Sequence, residues 1–220
     1  MSTRTTPVRR TTARRRAPAR AAAARRRALR RRRAGVLAGV AVLAALAVAV
    51  LWPAAHDAVQ EITLPLRHED IIRQQARDKD LDPALIAGVV YAESKFRDGQ
   101  QSSAGAVGLM QLTPRTARDI ARKSGGTAFE QGDLASPQIN IAYGAWYLRY
   151  LKDKYEGEEL AAIAAYNAGE GTVDEWVDNA GGLTGFDEKD IAFPETREYV
   201  DGVMDHRTKY RNHYGNELGY

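Results

Sequence analysis

The sequence predicts an all-α domain preceded by a single transmembrane helix, and three observations carry that expectation. Ala34–Trp52 is an unbroken run without charge, built from Ala, Val, Leu and Gly. Beyond it, apolar residues recur at three- and four-residue spacing, and Pro83, Pro114, Pro137 and Pro194 each stand where such a pattern begins, as proline does in a first helical turn. No stretch alternates apolar and polar residues as a half-buried strand would.

Taken in order, residues 1–33 hold 14 arginines and no acid, which leaves 18 of the chain's 32 basic residues against all 28 acidic ones. The net charge of +4 therefore hides a basic tail on an acidic domain. The tail has almost nothing to bury and reads as disordered. Alone it would suit nucleic acid or anionic lipid, but the apolar run that follows makes it a topological signal. As a helix, Ala34–Trp52 reaches about 28 Å, close to the roughly 30 Å of a bilayer's hydrocarbon core. Arg30–Arg33 at its start place the amino terminus in the cytoplasm, and so the rest of the chain outside the cytoplasmic membrane. A cleaved signal peptide is the rival; its apolar region is usually shorter, and no good cleavage site follows. The expected organisation is a tail at 1–33, an anchor at 34–52, a linker at 53–63 and a folded domain at 64–220.

Within that domain the expected helices are Glu69–Lys79, Pro83–Phe96, Pro114–Lys123 (stopped by Gly125-Gly126), Pro137–Tyr155, Glu158–Tyr166, Thr172–Asn179 and Pro194–His213. Asp82 caps the second of these. Ile86, Val89, Val90 and Phe96 share its buried stripe, and Glu93 lies on the same stripe. Two readings fit a carboxyl there. Burial disfavours its charge and keeps a transferable proton near neutral pH, or it sits at the stripe's edge and reaches water. The loop after it favours the first. Gly105 and Gly108 allow tight turns or close approach to a ligand, and Leu109, Met110 and Gln111 offer an apolar wall beside an amide. Such a mixture suits a sugar, with hydroxyls at its rim and C–H faces above and below.

Glu93-Ser-x-Phe96, followed by Ser102-x-x-Gly-Ala-x-Gly-Leu-Met-Gln-Leu-x-Pro-x-Thr-Ala117, closely resembles the catalytic domain of soluble-type lytic transglycosylases. Asn140-Ile141 with Gly144 and Tyr147-Leu148, then Ala164–Gly169 (Ala-Ala-Tyr-Asn-Ala-Gly), then Pro194–Val200 (Pro-Glu-Thr-Arg-Glu-Tyr-Val) follow in the family's order. The resemblance covers roughly Leu64–Tyr214 and implies a lysozyme-like α-helical fold. It implies that Glu93 is the catalytic acid and that peptidoglycan glycan strands are the substrate, cut between N-acetylmuramic acid and N-acetylglucosamine with a 1,6-anhydro product.

The same resemblance implies that Ser102, Met110, Gln111, Tyr166 and Asn167 contact substrate, the last two beside Glu93. By themselves Tyr166 reads as core and Asn167 as a turn former before Gly169. Glu195 has two readings: a first-turn acid favoured by the helix dipole, or a residue facing the sugar groove as in similar proteins. Relatives often carry Asn-Pro early in the loop where this chain reads Arg97-Asp98-Gly99-Gln100 without a proline, and Asp98 reads as solvated rather than as a second catalytic carboxylate. A goose-type lysozyme activity and a wall-binding module without turnover are the alternatives. The four histidines form no ligand set and cysteine is absent, so no metal or cofactor is expected. Basic residues within the domain are outnumbered and scattered, so no nucleic-acid partner is expected.

Overall fold

The computed structural model describes residues 17–125 and 130–220. The chain divides into two compact units, Met1–Val59 and Gln60–Tyr220. The first consists, where described, of most of helix α1 (Ala17–Thr63). Its segment Ala24–Trp52 is long and apolar enough to cross a membrane, with none of the apolar window buried in the fold. The expected tail and linker differ from this. Residues 17–33 and 53–63 belong to the same helix as the apolar run, while residues 1–16 lie outside the described part. Ala and Arg are strong helix formers, and extending an existing helix avoids the cost of nucleation. Disorder predicted from low hydrophobicity does not count that local preference. The helix also runs through Pro53, which has no N–H for the carbonyl four residues earlier.

The second unit contains α2 (Glu69–Lys79), α3 (Pro83–Ser94), α4 (Pro114–Ser124), α5 (Pro137–Lys154), α6 (Glu159–Ala168), α7 (Glu170–Asn179), α8 (Pro194–His213) and the short α9 (Gly215–Leu218). Short 3-10 turns lie at Gln131–Ala135, Leu183–Gly185 and Glu188–Asp190. No strand occurs among the described residues, only isolated bridges pairing Val107 with Gln101 and Leu112. The all-α expectation holds.

Helix α3 is the centre of the unit. Every residue from Ala84 to Val90 is buried, so α3 is enclosed on all sides rather than amphipathic. Gly88 lets α8 approach backbone to backbone: a Cβ there would lie 2.9 Å from the Val203 carbonyl oxygen and 3.1 Å from the Arg207 nitrogen. At its start, the Asp82 carboxylate accepts from the Ala84 N–H at 2.9 Å and from Arg207 Nε at 2.5 Å. Burial works against this charge, but hydrogen bonds from Tyr220 and Arg207 hold the carboxyl below the usual range. At its end, Lys95 and Phe96 both turn left-handed (φ 51° and 58°), stopping α3 two residues before the expected boundary. That turn sends the Phe96 ring into the core, 5.7 Å from Tyr210.

A smaller apolar cluster of Leu112, Ala117, Ile120 and Leu134 sits beside the main core, and Tyr147 and Tyr166 pack against both. The cleft at this junction is where the conspicuous polar residues gather.

Candidate active site

Glu93 occupies the last turn of α3, with its carboxyl at the base of a groove of about 390 Å³. Burial raises its pKa to about 7, although the Tyr199 hydroxyl donates to Oε1 at 2.6 Å and pulls the other way. Near neutral pH the group is therefore divided between acid and carboxylate, as a proton donor that must also accept one requires. The Tyr199 hydroxyl is itself pushed far above its ordinary range, first by burial and then by the Glu93 charge, so it remains a donor.

One wall is the loop from Gln100 to Thr113. Asn140, fully buried in the first turns of α5, fastens it: Oδ1 accepts from Met110 N at 2.7 Å, and Nδ2 donates to the carbonyls of Val107 (2.8 Å) and Leu134 (3.0 Å). Gly108 (φ 84°) makes room for that amide, since a Cβ would come within 2.2 Å of Nδ2. Ser102 lines the groove and its hydroxyl accepts from Ala106 N at 3.1 Å, closing a tight turn through Gly105. Gln111 also lines it. Its Nε2 donates to Gly108 O (2.7 Å) and Gln100 O (3.1 Å), which uses both amide hydrogens and leaves Oε1 as an acceptor for a ligand.

One expected contact is corrected. Met110 is fully buried and is not a wall residue: its side chain fills the space left by Gly144, where a Cβ would lie 2.3 Å from its sulfur. Gln111 itself takes a positive φ (45°), and this turn separates its groove-facing side chain from that of the buried Met110. Tyr166 lines the groove as expected, and its hydroxyl donates to the Met110 carbonyl at 3.0 Å. The Glu93 charge still adds to the burial that raises the Tyr166 pKa.

Asn167 is exposed on the opposite wall, its Oδ1 accepting from the Thr196 hydroxyl at 2.8 Å, which leaves its amide hydrogens free to donate. Glu195, in the first turn of α8, is exposed and is not part of the groove wall, a placement that fits the helix-dipole reading. Asp98 is exposed and pairs with His68 Nε2 at 2.8 Å, so Glu93 is the only carboxyl lining the groove among the described residues.

Sequence reasoning missed Tyr199 and Asn140 as working residues. A signal for the first was present. Thr196, Val200 and Val203 mark the buried face of α8, and Tyr199 lies on it; a buried tyrosine hydroxyl needs a partner. Asn140 likewise sits next to Ile141 on the buried face of α5. Among the described residues no group of three His, Cys, Asp or Glu side chains is placed to hold a metal ion.

Residues 70–187 match the family described as transglycosylase SLT domain. The chain is similar to the soluble lytic murein transglycosylase of Salmonella typhimurium, with 33% identity over 159 residues that make up 70% of this chain and 24% of the relative. It is also similar to membrane-bound lytic murein transglycosylase C of Glaesserella parasuis, with 40% identity over 122 residues, 51% of this chain and 34% of that one. The crystal structure of the 70 kDa soluble lytic transglycosylase from Escherichia coli superposes with a TM-score of 0.66 at 30% identity, covering 72% of this chain and 26% of that one. The chain thus spans about a quarter of the length of the soluble relatives it matches. With more than half of its residues inside the family match, and every residue lining the groove inside that same stretch, the chain belongs to the transglycosylase SLT domain family, on a lysozyme-like helical fold.

Proposed function

We propose that the domain is a peptidoglycan lytic transglycosylase, held outside the cytoplasmic membrane by the Ala34–Trp52 segment of α1 with the arginine-rich terminus inside. The observation that carries the reading is a groove with one carboxyl among the described residues, poised near neutrality by burial. In the proposed reaction Glu93 donates its proton to the glycosidic oxygen as the bond from C1 of the muramyl residue breaks. The acetamido oxygen of the same sugar stabilises the developing oxocarbenium, as in substrate-assisted glycosidases. The Glu93 carboxylate, steadied by Tyr199, then takes the proton of the C6 hydroxyl while that oxygen closes on C1. The carboxyl regains its proton and no water is consumed. Ser102, Gln111, Tyr166 and Asn167 would line the bound sugars, with the Gln111 carbonyl and the Asn167 amide complementing hydroxyl and acetamido groups.

A hydrolase would need a second carboxylate to activate water, and Asp98, tied to His68, does not supply one in the groove. The names of the relatives, lytic murein transglycosylases both soluble and membrane-bound, support the same side. Mass spectrometry of cell wall digested by the membrane-extracted full chain tests the reading. We expect 1,6-anhydromuramyl ends, produced by protein that fractionates with membranes and keeps residues 1–33. Reducing muramyl ends would favour the hydrolase, and intact strands a binding module.

A further inference from the structure

Beside the groove lies a second, smaller cavity of about 80 Å³ between α4 and α5. Thr116 and Tyr147 stand in the walls of both, so a group carried by a sugar in the groove has only to pass these two side chains to enter it. At about a fifth of the groove's volume, it has room for a small substituent and not for another sugar ring.

Its chemistry differs from that of the groove. Arg115 and Lys123 line it from α4, and the Trp146 ring, stacked at 5.5 Å on Tyr150, forms an apolar side. The two acids in its wall are already matched. Asp119 pairs with Arg122 at 3.0 Å, and Glu170 receives Lys123 at 3.1 Å, Lys154 at 3.3 Å and the Tyr150 hydroxyl at 3.0 Å. Arg115 is exposed and has no acidic partner among the described residues. The cavity therefore keeps an unmatched guanidinium, a group suited to bidentate recognition of a carboxylate.

In strands that carry their peptide stems, the muramyl lactyl carboxyl is tied up in the amide to the stem, so the sugars present neutral hydroxyl and acetamido groups and the free carboxylates of the polymer ride on the stem. We infer that this side cavity is a specificity site for a stem carboxylate, with Arg115 its principal ligand and the Trp146 face packing the stem's aliphatic portion. The inference rests on the reading of the groove given above. Its consequence is that the enzyme selects strands whose stems keep a free carboxylate.

The test compares kcat/KM of the detergent-solubilised full chain on glycan strands with free stem carboxylates and on the same strands with those carboxylates amidated. The wild type is expected to prefer the free acid by about tenfold, the scale of one charge-assisted hydrogen-bonded pair in partly exposed surroundings. Arg115→Gln should bring the ratio close to one. Arg118→Gln, an equal change of charge on the same helix outside the cavity wall, should keep it. Equal rates on the two strands for the wild type, or a preference surviving Arg115→Gln, would overturn the side site. Cleavage of neither strand by the wild type would instead overturn the function assigned to the groove.

Discussion

Replacing Glu93 with Gln should abolish nearly all turnover and at the same time make the protein more stable at alkaline pH. The first effect follows from losing the only carboxyl that lines the groove among the described residues. General acid catalysis alone contributes about 10²–10⁴-fold, and here the same group is assigned the base step as well. The second follows from linkage. The folded-state pKa of about 7 stands above the ordinary value of 4.5, so folding favours the protonated form. That contribution to stability is complete below the unfolded-state pKa and is lost as pH rises through the folded one. A shift of this size corresponds to about 3 kcal/mol. Glutamine is neutral throughout and can still accept from Tyr199. Chemical denaturation should therefore find Glu93→Gln more stable than wild type by up to about 3 kcal/mol at pH 8, and nearly equal to it at pH 4. A stability difference independent of pH would mean that Glu93 is not desolvated in the folded state.

Asn140→Ala should cause the largest loss of stability among single polar substitutions in the site. The side chain is fully buried and makes three hydrogen bonds, all to backbone groups that hold the groove wall or the turn beneath it. Each buried group left without a partner costs about 1–3 kcal/mol, so a loss of about 3–5 kcal/mol is expected after partial relaxation. Activity should fall with it, because Met110 and Val107 bracket the turn that aims Gln111 into the groove. Asn140→Asp separates hydrogen bonding from volume. It keeps the acceptor for Met110 N but turns a negative oxygen toward the carbonyls of Val107 and Leu134, and should rescue nothing. Urea denaturation of both variants provides the measurement; a loss below about 1 kcal/mol would show that the amide does not hold the loop.

Much of this site could be read before any coordinates, because the readable parts are set by local chemistry. Each of the four prolines named at the outset does open a helix, since the first turn is where a missing N–H costs nothing. The boundaries of α2 and α8 fall where periodicity places them. Gly105 and Gly108 both take positive φ, and Gly108 is required by the approach of the Asn140 amide. The parts that could not be read depend on direction in three dimensions. Periodicity carries α3 on to Phe96, because Phe96 is buried; it is buried through a left-handed turn instead of another helical one. Met110 and Gln111 are neighbours in the loop, and only the fold decides which of them faces the groove. The same limit separates Tyr166 from Tyr199. Both are tyrosines near the site, and the one whose hydroxyl reaches Glu93 comes from α8, 106 residues away along the chain.

In the proposed mechanism a single carboxyl, raised to near neutrality by burial and restrained by Tyr199, gives a proton and then takes one. Carbon-detected NMR titration of the Glu93 side-chain carboxyl, with the resonance assigned by its loss in Glu93→Gln, measures this directly. The wild type should show a midpoint near pH 7. Tyr199→Phe should show a higher midpoint, because the hydroxyl's hydrogen bond favours the carboxylate. A wild-type midpoint near the ordinary 4.5, or one that does not rise when the Tyr199 hydroxyl is removed, would contradict the mechanism.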